Sequence, residues 1–239
     1  AELAVNEINA SDSKIKFEFQ KQDDEGDGEK AVNAYNTMMD EGMQVLVGPT
    51  TTGASLTVSD QTNADRTFML TPSASSPDVT KDKDNVFQVC FTDPNQGVAS
   101  ADYIAENALA TKIGVIYDSS DAYSSGIYAK FKTEAESKGL EIVTAEAFTS
   151  DNKSDLSTQV AKCQEAGAEL VFLPIYYTEA AQILSYANKI GYAPKFFGCD
   201  GMDGILTLEG FDTSLAEGLM LLTPFSATVP ETQSFVEAY

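Results

Sequence analysis

Hydroxyl side chains crowd two short segments, Gly48-Pro-Thr-Thr-Thr-Gly53 and Thr71-Pro-Ser-Ala-Ser-Ser-Pro77, each at the end of an apolar run. Their O–H groups and nearby backbone N–H groups could receive an anion. The first segment leads straight into a helical pattern, whose N-terminus adds the partial positive charge that favours a carboxylate. Three further segments, Asp118-Ser-Ser-Asp-Ala-Tyr123, Ile175-Tyr-Tyr-Thr178 and Gly198-Cys-Asp-Gly201, offer aromatic faces and a carboxylate, the groups that hold an ammonium ion. Together the two sets suit a zwitterion. Each also has a plainer reading: Ser and Thr cap helices and close turns, tyrosines pack, and Asp200 before Gly201 can form an Asx turn.

Other chemistries find little support. The chain has no histidine, which removes Ser-His and Cys-His nucleophile pairs and the commonest zinc ligand. Cys90, Cys163 and Cys199 show no C-x-x-C spacing and read as buried thiols. The acidic run from Asp23 to Glu29 resembles a calcium loop, but Ala34 stands where the bidentate glutamate belongs, so no metal is expected. Neither a G-x-G-x-x-G nor a P-loop pattern occurs, since Gly48-Pro-Thr-Thr-Thr-Gly53 lacks the phosphate-binding lysine, and no cofactor is expected.

These segments need a scaffold, and the chain supplies one in its alternation of short apolar runs with amphipathic helical stretches. Strands are expected at 15–20, 45–47, 67–70, 86–90, 112–117, 142–148, 170–174, 195–198 and 219–223. Helices are expected at 29–40, 55–65, about 96–108, 126–138, 156–165 and 178–190, with more helix at both ends of the chain. The class is α/β, with mostly parallel sheets flanked by helices. In such sheets ligands bind beyond the carboxyl ends of the strands, where all the segments above fall.

Length and charge bound the function further. A chain of 239 residues with 43% hydrophobic content suits two domains. Fifteen basic against 37 acidic residues leave a net charge of −22, which repels nucleic acid and anionic lipid. No apolar run is long enough to span a bilayer, and no signal segment stands at the start. The chain opens and closes in helix-like sequence, so truncation at both ends is expected.

In order along the chain, Gln22-Asp-Asp-Glu25, Val47-Gly-Pro-Thr-Thr-Thr52, Leu70-Thr-Pro-Ser-Ala-Ser-Ser-Pro-Asp-Val-Thr80, Tyr117 to Gly126, Ile175-Tyr-Tyr177 and Phe197-Gly-Cys-Asp-Gly201 carry a resemblance. They resemble the branched-chain amino acid (Leu/Ile/Val) binding proteins of ABC transporters, a type I periplasmic binding protein family, over nearly the whole chain. The resemblance implies two α/β lobes: residues 1–95 as a first lobe lacking its first strand, 96–223 as a second, and 224–239 as a segment returning toward the first. It implies that Thr52, Ser73 and Ser75 meet a ligand carboxylate, and that Tyr123, Tyr176 and Asp200 meet its ammonium group. Members for branched-chain amino acids usually carry Glu where this chain has Asp200.

The resulting expectation is a monomeric extracytoplasmic protein, not an enzyme, that captures a free amino acid between its lobes by hinge closure and delivers it to a transporter permease. Two alternatives keep the fold: a ligand-sensing ectodomain or effector domain, and a binder of amides or other small molecules. A two-domain enzyme using carboxylates and tyrosines is the third reading weighed.

Overall fold

The computed structural model describes residues 1–239, which divide into two compact units. The first comprises residues 1–74, 78–90 and 225–239, and the second residues 75–77 and 91–224.

In the first unit, helices α1 (Glu2–Ala10) and α2 (Gly28–Asp40) precede strand β1 (Val45–Val47), helix α3 (Thr52–Asp65) and strands β2 (Phe68–Thr71) and β3 (Val86–Gln88). The strands pair in parallel in the order β1-β2-β3. Period-two alternation turns Leu46, Met69 and Val86 into a core shared with Ala31, Tyr35, Ala54 and Val58 of the two long helices. Val45, Val47, Phe68 and Phe87 point the other way and are exposed.

The strand expected at 15–20 is a correction. The segment is extended, but it joins no ladder, and Ile15, Phe17 and Phe19 are exposed. Alternation alone makes a strand only where a neighbouring edge takes up its backbone groups. Here the Asn9 side chain does so locally, donating to the Phe17 carbonyl and accepting from its N–H, both at 2.8 Å.

The second unit runs α4 (Asp93–Glu106), β4 (Lys112–Asp118), α5 (Ala122–Ser137), β5 (Glu141–Phe148), α6 (Ser157–Glu165), β6 (Leu170–Leu173), α7 (Tyr177–Lys189), β7 (Lys195–Gly198) and β8 (Met220–Leu221). Its sheet is wholly parallel, in the order β5-β4-β6-β7-β8. Central β6 is buried along its length, as a strand covered on both faces must be. Leu170 and Phe172 pack with residues of α4 and α5, while Val171 and Leu173 pack with residues of α6 and α7.

Helix α4 begins at Asp93, three residues before the expected start near Gln96, and it lies wholly in the second unit. The chain passes from the first unit to the second at 90/91. Short helical turns fill 200–216 between β7 and β8, where no periodicity announced them. The final helix, α8 (Gln233–Ala238), is grouped with the first unit.

Candidate ligand site

Strand order reverses at β4, whose neighbours are β5 on one side and β6 on the other. The carboxyl ends of β4 and β6 therefore flank a topological switch point, where open parallel sheets place their ligands. Tyr123 follows β4, one residue into α5, and Tyr176 follows β6 as the residue capping α7. Asp121 fixes the turn between β4 and α5 by accepting the Tyr123 and Ser124 N–H groups.

The two tyrosine rings stack, with centroids 4.9 Å apart and an interplanar angle of 20°. Asp200, just past β7, lies against them and accepts the Tyr123 hydroxyl at Oδ1, 2.8 Å away. Gly201 N–H in turn donates to Tyr123 Oη at 2.9 Å. Only glycine fits position 201, because an added Cβ would fall 2.8 Å from Tyr123 Oη and 2.9 Å from Tyr176 Cδ1. Tyr123, Tyr176 and Asp200 thus form one cluster.

Two residues of this cluster were not singled out from the sequence. Gln96, buried on α4, donates to Asp200 Oδ1 at 2.9 Å and accepts from the Asp200 N–H at 3.3 Å. Asp93, 1% exposed, accepts the Ser75 hydroxyl at Oδ1, 2.6 Å away, while its Oδ2 is buried without a protein partner. An aspartate before proline at a helix start reads as ordinary capping, and Gln96 falls inside a helical pattern, so only their burial reveals them.

Burial pushes the Asp93 carboxyl up to about 7; the charges of Asp200 and Asp121 add to this, and the Ser75 hydrogen bond opposes it. Asp200 is also raised by burial, against the lowering effect of its bonds from Tyr123 and Gln96. Burial carries Tyr123 well above its usual range, so it stays a neutral donor. No lysine or arginine figures among the groups acting on either aspartate. Such a cluster is short of positive charge and suited to a cation.

Ser75 belongs to this unit, and its proton is committed to Asp93. In this arrangement the Ser75 hydroxyl oxygen can accept a further hydrogen bond.

The other hydroxyl residues lie in the first unit. Thr51 and Thr52 open α3, both with side-chain oxygens buried and without a protein partner. Their loop is braced by the Ser55 and Thr71 hydroxyls, which both donate to the Pro49 carbonyl. Ser73 is half-buried in the turn after β2, where Thr71 Oγ1 accepts the Ala74 N–H. Orphan hydroxyls at the N-terminus of a 14-residue helix are suited to an anion.

A family profile described as periplasmic binding protein matches residues 1–239. The chain is 32% identical over 207 residues to "Leu/Ile/Val-binding protein homolog 3" of Brucella melitensis, covering 84% of this chain and 55% of the relative. It is 27% identical over 242 residues to the Leu/Ile/Val-binding protein of Escherichia coli K12, covering 100% of this chain and 65% of the relative. The structure matches that of the branched-chain amino acid transporter substrate binding protein LivJ of Streptococcus pneumoniae in complex with isoleucine, with a TM-score of 0.86 at 25% identity, over 100% of this chain and 69% of that one. The chain spans between about half and two thirds of the length of these curated relatives. With its whole length matched, the chain belongs to the periplasmic binding protein family, as a type I member similar to the Leu/Ile/Val-binding proteins.

Proposed function

We propose that this protein is an extracytoplasmic solute-binding protein that captures a free amino acid, branched-chain or related, for delivery to the permease of an ABC transporter. The observation that carries the reading is the pair of aspartates, buried Asp93 and half-buried Asp200, held by neutral donors beside stacked tyrosines and lacking a basic partner. Buried carboxylates without a counter-charge are costly, and a ligand ammonium group relieves that cost. In this reading Asp93, Asp200 and the Ser75 oxygen accept from the ammonium, and the tyrosine faces cover it. Thr52 and Ser73 receive the carboxylate at the α3 N-terminus and its neighbouring turn.

Four or five hydrogen bonds to charged groups, each worth about 1.5–3 kcal/mol net, are enough to leave the ~8 kcal/mol of a micromolar complex after ordering costs. That the relatives are Leu/Ile/Val-binding proteins, and the structural neighbour holds isoleucine, supports an aliphatic side chain in the ligand. Asp200 is one methylene shorter than the usual Glu, which places the carboxyl farther back and leaves room for a bridging water.

A thermal-shift panel of the twenty amino acids and small amides on the full-length protein tests this reading, because a ligand that binds only the native state raises the melting temperature. A selective rise with one or a few aliphatic amino acids is expected. A rise with amides alone would transfer the site to another ligand class.

A further inference from the structure

One side chain grips residue 200 at two points. Gln96, 2% exposed, gives its Nε2–H to Asp200 Oδ1 and takes the Asp200 backbone N–H on Oε1. An amide making both bonds fixes the rotamer of the carboxyl and the peptide that carries it. The Tyr123 hydroxyl also lands on Oδ1, so both side-chain donors occupy the same oxygen.

The helices are built to bring these two donors together. Next to Gln96, Gly97 lets α4 run against α5 so closely that an added Cβ would fall 2.5 Å from the Ile127 carbonyl oxygen and 2.7 Å from the Phe131 nitrogen. Helix α5 carries Tyr123 and α4 carries Gln96, so the crossing aims both at Asp200.

The neutrality of Gln96 matters as much as its reach. A lysine or arginine there would also orient the carboxyl, but it would cancel the charge that a ligand ammonium needs. A neutral amide donor favours the ionised carboxyl and leaves its charge available.

We propose that Gln96 is a positioning residue of the ligand site, whose amide turns the Asp200 carboxyl so that Oδ2 meets the ligand ammonium; this rests on the ammonium reading above. The other titratable groups near Asp200 are Asp93 on α4, Tyr123 on α5, Tyr176 before α7 and Cys199 just past β7, while Asp121 before α5 acts on Asp93 and is itself faced by Lys153. Gln96 and Tyr123 both donate to the Asp200 carboxyl.

The test uses the full-length protein with Gln96→Met, which keeps volume and removes both polar bonds, and Gln96→Glu, which keeps shape and replaces the donor with a like charge. Carboxyl-carbon NMR follows the Asp200 titration in ligand-free protein, and calorimetry measures amino acid affinity. In both variants the Asp200 midpoint is expected to move to higher pH. Affinity is expected to fall about tenfold or more in Gln96→Met, and further in Gln96→Glu above pH 7. An unchanged Asp200 titration in both variants overturns the positioning role whether or not amino acids bind. A shifted titration in a protein that binds no amino acid supports the positioning and overturns the ammonium reading instead.

Discussion

At Asp93 the folded protein holds a carboxyl near pKa 7 that titrates at 3.8 when unperturbed. Between those values the native state keeps a proton that the unfolded chain has released, so stability declines as pH rises through the window, by on the order of 4 kcal/mol in total. Asp93→Asn removes this slope: urea titrations of ligand-free protein at pH 5 and pH 8 should show a large fall for wild type and a small one for the variant. The same substitution should weaken amino acid binding, because stability gained in the empty site is lost as attraction for the ligand. Asp200→Asn should lower affinity by about a hundredfold, roughly 2.7 kcal/mol, with little change in the ligand-free melting temperature. Tyr123, Tyr176 and Asp200 were readable because they follow strand ends as unusual residues in short loops. Asp93 and Gln96 were not, since their types and positions suit an ordinary helix start and only tertiary burial gives them meaning.

The helices and strands owe their legibility to period. Runs such as Leu170–Leu173 have a buried strand's composition, and α2, α5 and α7 carry apolar faces at helical spacing, so these elements are found within a few residues of where the pattern places them. Period fails where partners decide. The alternating segment 15–20 stays outside both sheets, and the short turns at 200–216 have no repeat to read. Crossing geometry is also silent in sequence, and Gly97 is its clearest case. Gly97→Ala should lower unfolding free energy by about 1–3 kcal/mol, seen as a lower urea midpoint, because α4 must move away from the α5 backbone. Gly201→Ala strikes the tyrosine pair instead and should cost more in ligand affinity than in urea midpoint.

Across the whole molecule, composition pointed to two compact parts and away from nucleic acid, and the chain does form two units. Their boundary could not be read to the residue, because 75–77 join the second unit through tertiary bonds: Ser75 pairs with Asp93 both by its hydroxyl and by its carbonyl, which accepts the Asp93 N–H at 3.0 Å. Isothermal titration of the full-length protein tests the requirement for an ammonium group with the best-binding aliphatic amino acid and its desamino analogue, the same molecule without the α-ammonium group. Saturable binding of the amino acid at micromolar Kd or tighter is expected, with the analogue weaker by about a hundredfold or more. Equal affinity for the two compounds would contradict that requirement, since Asp93 and Asp200 would then have no part in holding the ligand.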